Sequence, residues 1–275
     1  MYETFYGFSE KPFTLLPDAS FLYMGKGHSI AYSMLEYGLL NQAGFSVITG
    51  EVGSGKTTLI RHLLEHLSED VTVGLVSNTH REMGELLQWV LYAFGQDYRE
   101  TNRVTLFDTF TRFLIEEYAQ NHRTVLIIDE AQNLHPQVLE ELRMLSNVNA
   151  DKNQVLQLIL VGQPQLLSLL KRPELLQFRQ RIAVDYHLNA LDESDVLRYI
   201  EHRTRHAGVE RLLFTEEAAR LIYRASSGIP RIVNLICDTA LVYGFADNKQ
   251  LIDKELLQSV LLDKNRTGLT DYPIE

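Results

Sequence analysis

The pattern of apolar and polar positions divides this chain of 275 residues into two parts. Up to residue 188, short apolar runs without alternation are separated by longer amphipathic stretches. Runs of this kind are typical of parallel strands that are covered on both faces. The predicted strands are 45–49, 71–76, 124–128, 155–161 and 182–188. The predicted helices of this part are 29–41, 56–66, 81–93, 106–120 and 136–146.

Strands that alternate with helices predict an α/β fold with a doubly wound, five-stranded parallel sheet. After residue 188 the strands stop, and helical patterns at 192–207, 215–225, 230–244 and 253–262 predict a small helical domain. Asp192 and Thr215 are suitable N-cap residues for two of these helices. The predicted divisions are an aromatic N-terminal arm (1–30), an α/β domain (31–188), a helical lid domain (189–262) and a frayed tail (263–275).

Composition and charge narrow the class of protein. The net charge of −10 argues against a general nucleic-acid coat, although it leaves room for a local basic patch. The single cysteine, Cys237, excludes an internal disulfide and is best interpreted as a small buried residue in a reducing compartment. Neither a secretory signal nor an apolar stretch of about 20 residues is present. We therefore expect a cytoplasmic protein without a membrane span, and peripheral attachment at the inner membrane stays open.

The segment GEVGSGKT at residues 50–57 matches the phosphate-binding pattern G-x-x-x-x-G-K-[ST]. It follows a predicted strand and opens a predicted helix, so its backbone N–H groups and the helix N-terminus would cradle phosphate oxygens. Lys56 would reach the β- and γ-phosphates of ATP, and the Thr57 hydroxyl would bind Mg²⁺. The alternative, a glycine turn without a ligand, is rare in this context. The predicted nucleotide contacts of the loop are Gly50, Glu51, Val52, Gly53, Ser54, Gly55, Lys56, Thr57 and Thr58.

Two carboxylates, Asp129 and Glu130, directly follow the predicted strand 124–128. Ligands bind at the carboxyl ends of strands in open α/β sheets, so Asp129 is a predicted Mg²⁺ and nucleotide ligand. Glu130 would orient and deprotonate an attacking water. A solvated acidic pair is the alternative interpretation. A base beside the magnesium aspartate favours hydrolysis of ATP to ADP over transfer of phosphate to a small-molecule acceptor.

Four further polar residues are candidates for the reaction. Gln163 follows a strand and would touch the γ-phosphate or the water, but a polar residue before the helix at Pro164 is an equal alternative. Arg179 or Arg181, with a slight preference for Arg181, would reach the γ-phosphate of a neighbouring subunit; surface salt bridges are the alternative. Arg231 opens a helix of the second domain, where it would bind and report the nucleotide.

Taken in their order along the chain, these motifs and candidate residues resemble those of the AAA+ ATPases, and the resemblance covers about residues 28–262. The matching motifs are Walker A at 50–57, Walker B at 125–130, sensor 1 at Gln163, the arginine finger at Arg179 or Arg181, and sensor 2 at Arg231. The closer resemblance is to the ExeA-like, or general secretion pathway protein A, group. It rests on the segments FYGFSEKPFTLLPDASFLYMGKGHSIAYSMLEYGL, IIDEAQNL, LVGQPQL, FRQRI and GIPRIVN. Within that group, the stand-alone ATPases of exosortase and exopolysaccharide loci are the most similar.

This resemblance implies Mg²⁺-dependent ATP hydrolysis by a homo-oligomer, in a ring or a filament, with partners in envelope secretion or polysaccharide export. It also implies that the aromatic arm covers the adenine with His28 nearby, although an arm that only packs on the sheet fits as well. Secretion-pathway members of the group carry a membrane span and a peptidoglycan-binding part. These 275 residues contain neither, which weakens the expectation of direct cell-wall binding.

Two alternatives stay open from the sequence. The first is a DNA-associated regulator of the transposition type, which is not favoured. Basic side chains at about four-residue spacing would share one exposed helix face and so support it, although a solvated face explains them as well. These residues are Arg198, His202, Arg203, Arg205 and His206. The second is a switch that binds ATP with little turnover, and Glu130 argues against it.

Overall fold

The structure is a computed structural model that describes residues 1–77, 86–150 and 153–274. Part of the predicted helix 81–93 therefore lies outside the described residues. The described helices are α1 (Tyr2–Tyr6), α2 (Lys26–Leu40), α3 (Lys56–Glu65), α4 (Leu86–Ala93), α5 (Arg103–Ala119), α6 (Pro136–Leu145), α7 (Gln165–Leu170), α8 (Leu176–Arg179), α9 (Glu193–His206), α10 (Glu216–Ser226), α11 (Pro230–Ala246) and α12 (Lys254–Arg266). The described strands are β1 (Phe45–Gly50), β2 (Val71–Val76), β3 (Arg123–Ile128), β4 (Asn149–Ala150), β5 (Asn153–Gln154), β6 (Leu156–Gly162) and β7 (Ile182–Leu188).

Within the described residues, five parallel strands form one sheet in the order β2-β3-β6-β1-β7. The central strands β1, β3 and β6 are buried along almost their whole length, which explains their unbroken apolar sequence. Because parallel strands run in one direction, β1, β6 and β3 end side by side at one edge of the sheet. The predicted α/β fold with a five-stranded parallel sheet and a following set of helices is confirmed.

The chain forms two compact units, each with its own apolar core. The sheet unit consists of Ile30–Gly50 and Leu63–Leu188, and its core lies around the strands and the helices that cover them. The lid unit consists of Met1–Ser29, Glu51–His62 and the residues from Asn189 onward. Its core joins helices α9–α12 to aromatic residues of the N-terminal arm. Cys237 is buried in this core, as predicted.

Within the lid unit, the N-terminal arm is fixed to the helices by apolar packing and by hydrogen bonds. Its buried aromatic residues are Tyr2, Tyr6, Phe8, Phe13 and Phe21. The backbone N–H and the hydroxyl of Ser9 donate to the Ala207 carbonyl at 2.9 and 3.0 Å. Burial raises the pKa of Tyr6 to about 12, and its hydroxyl donates to the Lys249 carbonyl at 3.0 Å. The arm is therefore an integral part of this unit's core.

Two local predictions for the lid unit are wrong. The basic residues of α9 do not form one exposed face, because Arg203 is only 7% exposed and lies in the core. The tail is not frayed over residues 263–274, because α12 extends to Arg266 and the segment beyond it folds back. Asn265 Oδ1 accepts a hydrogen bond from the Tyr272 backbone N–H at 2.8 Å, and Gln258 Nε2 donates to the Ile274 carbonyl at 3.1 Å.

Candidate active site

The predicted phosphate loop connects the end of β1 to the start of α3. Gly53 and Gly55 have φ angles of +80° and +98°, which L side chains rarely adopt, so glycine is needed at both positions. Lys56 is only 6% exposed, and its Nζ donates to the Glu51 carbonyl at 2.9 Å. The hydroxyl of Ser54 is buried and has no hydrogen-bond partner among the described residues. A buried donor without a partner, inside a loop of this type, fits a phosphate oxygen.

His28, near the start of α2, is packed against this loop within the lid unit. It is 4% exposed, and its Nε2 lies 3.1 Å from the Ser54 carbonyl oxygen. Because a carbonyl only accepts, Nε2 carries the proton. Burial lowers the pKa of His28 from its ordinary value of 6.5, so the neutral ring is favoured near pH 7. A Cβ on Gly55 would lie 2.7 Å from this nitrogen, which is a second reason for glycine there.

Arg231 of α11 meets the same loop through its backbone. Its N–H donates to the Gly53 carbonyl at 3.2 Å, and a Cβ on Gly53 would lie 2.5 Å from the Arg231 Cβ. Pro230 occupies the first turn of α11, where its missing N–H costs nothing. The arginine side chain itself is exposed. The structure thus places this predicted residue beside the phosphate loop.

The acidic pair Asp129 and Glu130 follows β3 in the sheet unit. The Asp129 N–H donates to the Val76 carbonyl at 2.9 Å, which extends the pairing of β3 with β2. Glu130 has a left-handed backbone with φ of 55°, and its N–H donates to the Asp129 carboxylate at 2.8 Å. This sharp turn redirects the chain at the carboxyl end of the strand.

Two glutamine side chains hold the Glu130 carboxylate. Gln132 Nε2 donates to Glu130 Oε2 at 2.6 Å, and Gln163 Nε2 donates to the same oxygen at 3.1 Å. The Gln163 backbone N–H donates in turn to Gln132 Oε1 at 2.9 Å. The sequence singled out Gln163 but missed Gln132. Gln132 lies two residues after Glu130, in the turn Ala131–Asn133, and this position is the signal that would have identified it.

The two candidate finger arginines have different surroundings. Arg181 NH1 donates to Ser146 Oγ at 2.9 Å and to the Arg143 carbonyl at 3.3 Å, and NH2 donates to Asn147 Oδ1. Its guanidinium is therefore occupied at the C-terminal end of α6. Arg179, at the end of α8, is exposed, and its side chain makes no hydrogen bond or ion pair with the described residues. Of the two, Arg179 is the arginine that is available to an external group.

Comparison with known proteins identifies relatives in sequence. Residues 40–170 match the AAA domain family. General secretion pathway protein A of Aeromonas hydrophila is 41% identical over 247 residues, which is 90% of this chain. The chain spans 45% of the length of that relative.

None of the helices in the described ranges is long and apolar enough to cross a membrane.

Solved structures with a similar fold include three proteins of low sequence identity. Cdc6p from Pyrobaculum aerophilum matches with a TM-score of 0.69 and 17% identity, over 90% of this chain and 71% of that one. The ORC2 protein of Aeropyrum pernix matches with a TM-score of 0.63 and 20% identity, over 88% and 68%. The RuvB motor of Thermotoga maritima matches with a TM-score of 0.56 and 18% identity, over 91% and 73%. These similarities concern the fold, which is that of P-loop AAA+ ATPases.

Proposed function

We propose that this chain, which matches the AAA domain family over residues 40–170 and is related in sequence to general secretion pathway protein A, uses Mg²⁺-dependent ATP hydrolysis to drive assembly or remodelling of a cell-envelope secretion system. The observation that carries the catalytic part is the Glu130 carboxylate, held by two amide donors at the end of β3. The pathway rests on the 41% identity to a relative whose name refers to secretion. Polysaccharide export is a narrower form of the same proposal.

The residues of the phosphate loop are of the types that bind a nucleoside triphosphate. Glycine backbone N–H groups and the buried Ser54 hydroxyl would donate to phosphate oxygens, and Lys56 would compensate their charge. Thr57 and Asp129 offer the hard oxygen ligands that Mg²⁺ prefers. The ion would neutralise charge on the phosphates when it is bound.

Glu130 is the proposed general base. It would accept a proton from the attacking water, while Gln163 and Gln132 fix the direction of its carboxylate. A base that is held by two hydrogen bonds loses less freedom when the transition state forms, and this supports turnover over a simple binding switch.

Arg179 is the proposed finger that acts on the neighbouring subunit in a homo-oligomer. Its exposed guanidinium has no polar partner among the described residues, whereas that of Arg181 is bound at the end of α6. This reverses the slight preference for Arg181 that the sequence suggested. Arg231, whose backbone bonds to Gly53, is the proposed reporter of nucleotide state in the lid unit.

The catalytic part is tested by Glu130→Gln. The amide keeps the shape of the side chain but cannot take a proton, so turnover should fall by at least about 100-fold while ATP binding is little changed. Lys56→Ala should lose ATP binding. The matched control is Glu174→Gln, which changes an exposed carboxylate in the same unit as Glu130 and should retain full activity. Parent-like turnover of Glu130→Gln would show that another group is the base.

The pathway is tested in cells that carry Lys56→Ala as their only copy. Loss of protein secretion supports the secretion system, and loss of exported polysaccharide with normal protein secretion supports the narrower export role. If both exports continue at the parental level, the proposed pathway is wrong, whatever the ATPase measurements show.

A further inference from the structure

Three metal-ligating side chains lie together at the C-terminal end of α3. They are His62, Glu65 and His66, and one ligand atom of each lies within 4.8 Å of the other two. Their spacing of i, i+3 and i+4 places them on one face of the helix turn. His62 is partly buried, whereas Glu65 and His66 are exposed, so a cation has access from solvent. The phosphate loop lies at the opposite end of the same helix, and none of the three residues belongs to it.

The chemistry of these ligands is specific. Two imidazole nitrogens and one carboxylate oxygen form a set that Zn²⁺ uses in proteins, with one position left for water. Two histidines one turn apart on a helix are a known arrangement for binding this ion. Mg²⁺ prefers oxygen ligands alone, so this set discriminates against the ion that ATP requires.

The position on the helix adds to the attraction for a cation. The carbonyl groups at a helix C-terminus carry partial negative charge, which stabilises positive charge nearby. This partial charge favours a cation bound at the last turn of α3.

We propose that His62, Glu65 and His66 bind Zn²⁺, or a similar borderline transition-metal cation, at a site separate from that of the magnesium nucleotide. The ion would join residues one turn apart and so stabilise the last turn of α3. Since α3 begins at Lys56, the site would stiffen the helix that carries the lysine of the phosphate loop.

The test is a Zn²⁺ titration of the full chain, stripped of metal and free of nucleotide, by calorimetry and by thermal unfolding. The parent should bind one Zn²⁺ per chain and unfold at a higher temperature with it. His66→Ala and Glu65→Gln should each weaken Zn²⁺ binding by at least about tenfold. Mutating a residue that merely hydrogen-bonds to a metal ligand already costs at least about tenfold in metal affinity, and loss of the ligand itself should cost no less. Mg²⁺ should produce no binding heat.

His135→Ala is the matched control, because His135 is an exposed histidine that precedes α6 and lies outside the cluster. It should bind Zn²⁺ like the parent. A parent without Zn²⁺ binding, ligand variants that bind like the parent, or an equal loss in His135→Ala would each overturn the proposal. Both ligand variants change exposed side chains, and circular dichroism checks that they fold; should His66→Ala not fold, Glu65→Gln decides the question.

Discussion

At the scale of single residues, the contacts of Glu130 distinguish this site from an ordinary acidic pair at a strand end. An isolated carboxylate in solvent has many rotamers, whereas here one oxygen accepts hydrogen bonds from Gln132 and Gln163. Gln163 is itself fixed, because its backbone N–H donates to Gln132. The three side chains therefore form one connected group, and removing one member should misdirect the base.

Gln163→Ala should lower the turnover number by about tenfold or more and leave the affinity for ATP nearly unchanged. Its loss acts on the orientation of Glu130 in the transition state and not on ground-state binding. Gln165→Ala is the control, since Gln165 is an exposed amide two residues further along. Steady-state kinetics with a separate nucleotide-binding assay measure both quantities. A variant that loses binding and turnover together would indicate a structural role instead.

Gly228 illustrates how one residue fixes the start of α11. Its φ is +71°, and a Cβ would lie 1.9 Å from the Leu191 carbonyl oxygen. Gly228→Ala should therefore lower the free energy of unfolding by about 2 kcal/mol or more, through both backbone strain and the clash. Gly268→Ala is a matched control with φ of +72° and no atom within 4 Å, so it carries strain alone. Chemical denaturation of both variants separates the two causes, and equal losses would contradict the clash.

At the scale of elements, the N-terminal arm is joined to α9 by Arg203. The guanidinium donates from Nε to the Pro12 carbonyl and from NH1 to the Tyr199 hydroxyl at 3.4 Å, and it lies 4.5 Å from the centre of the Phe21 ring. Its NH2 is buried without a partner among the described residues. A charge in this position is tolerated because the aromatic face and the carbonyl stabilise it. It is therefore a structural arginine and not part of a DNA-binding face.

Arg203→Ala should lower the free energy of unfolding by about 2–4 kcal/mol, because it leaves a cavity and an unpaired carbonyl between the arm and α9. Arg205→Ala, an exposed neighbour on the same helix, should change it by less than about 0.5 kcal/mol. Urea unfolding compares the two variants. Equal stability of the two proteins would mean that the arm does not depend on this contact.

At the scale of the whole molecule, the finger hypothesis requires more than one copy of the chain. Arg179→Ala should reduce turnover by about 10³-fold if the guanidinium stabilises the transition state of a neighbouring subunit. Arg181→Ala should reduce it much less, because Arg181 is engaged at the end of α6. Turnover per subunit should also increase with protein concentration, and ATP should favour oligomers in light scattering.

Mixing variants separates action between subunits from action within one. Arg179→Ala subunits keep an intact nucleotide pocket, and Lys56→Ala subunits keep an intact Arg179. A mixture should therefore recover activity that neither protein has alone. No recovery, together with full activity of Arg179→Ala in a monomer, would rule out a finger at this position.

The sequence by itself determined the five strands of the sheet and the longer helices, because burial on both faces leaves an apolar run and amphipathic helices leave a 3.6-residue period. It did not predict the short helices α1, α7 and α8 or the two-residue strands β4 and β5. The predicted N-caps Asp192 and Thr215 accept the expected hydrogen bonds from Asp195 N–H and Ala218 N–H. The sequence also predicted the phosphate loop and the acidic pair Asp129 and Glu130. Each is a local pattern, so neighbouring residues alone specify it.

Only the tertiary structure decided which distant segments meet. His28 bonds to Ser54 across 26 positions, Gln163 to Glu130 across 33, and Arg203 to Pro12 across 191. No period or motif encodes such contacts, since they depend on how packed elements bring their side chains together. For the same reason the sequence could not tell that the Arg181 side chain is bound and that of Arg179 is not, or that Arg203 is buried although Arg198 and Arg205 on the same helix are exposed. Local patterns therefore predicted the candidate site, and packing decided which distant residues contact it.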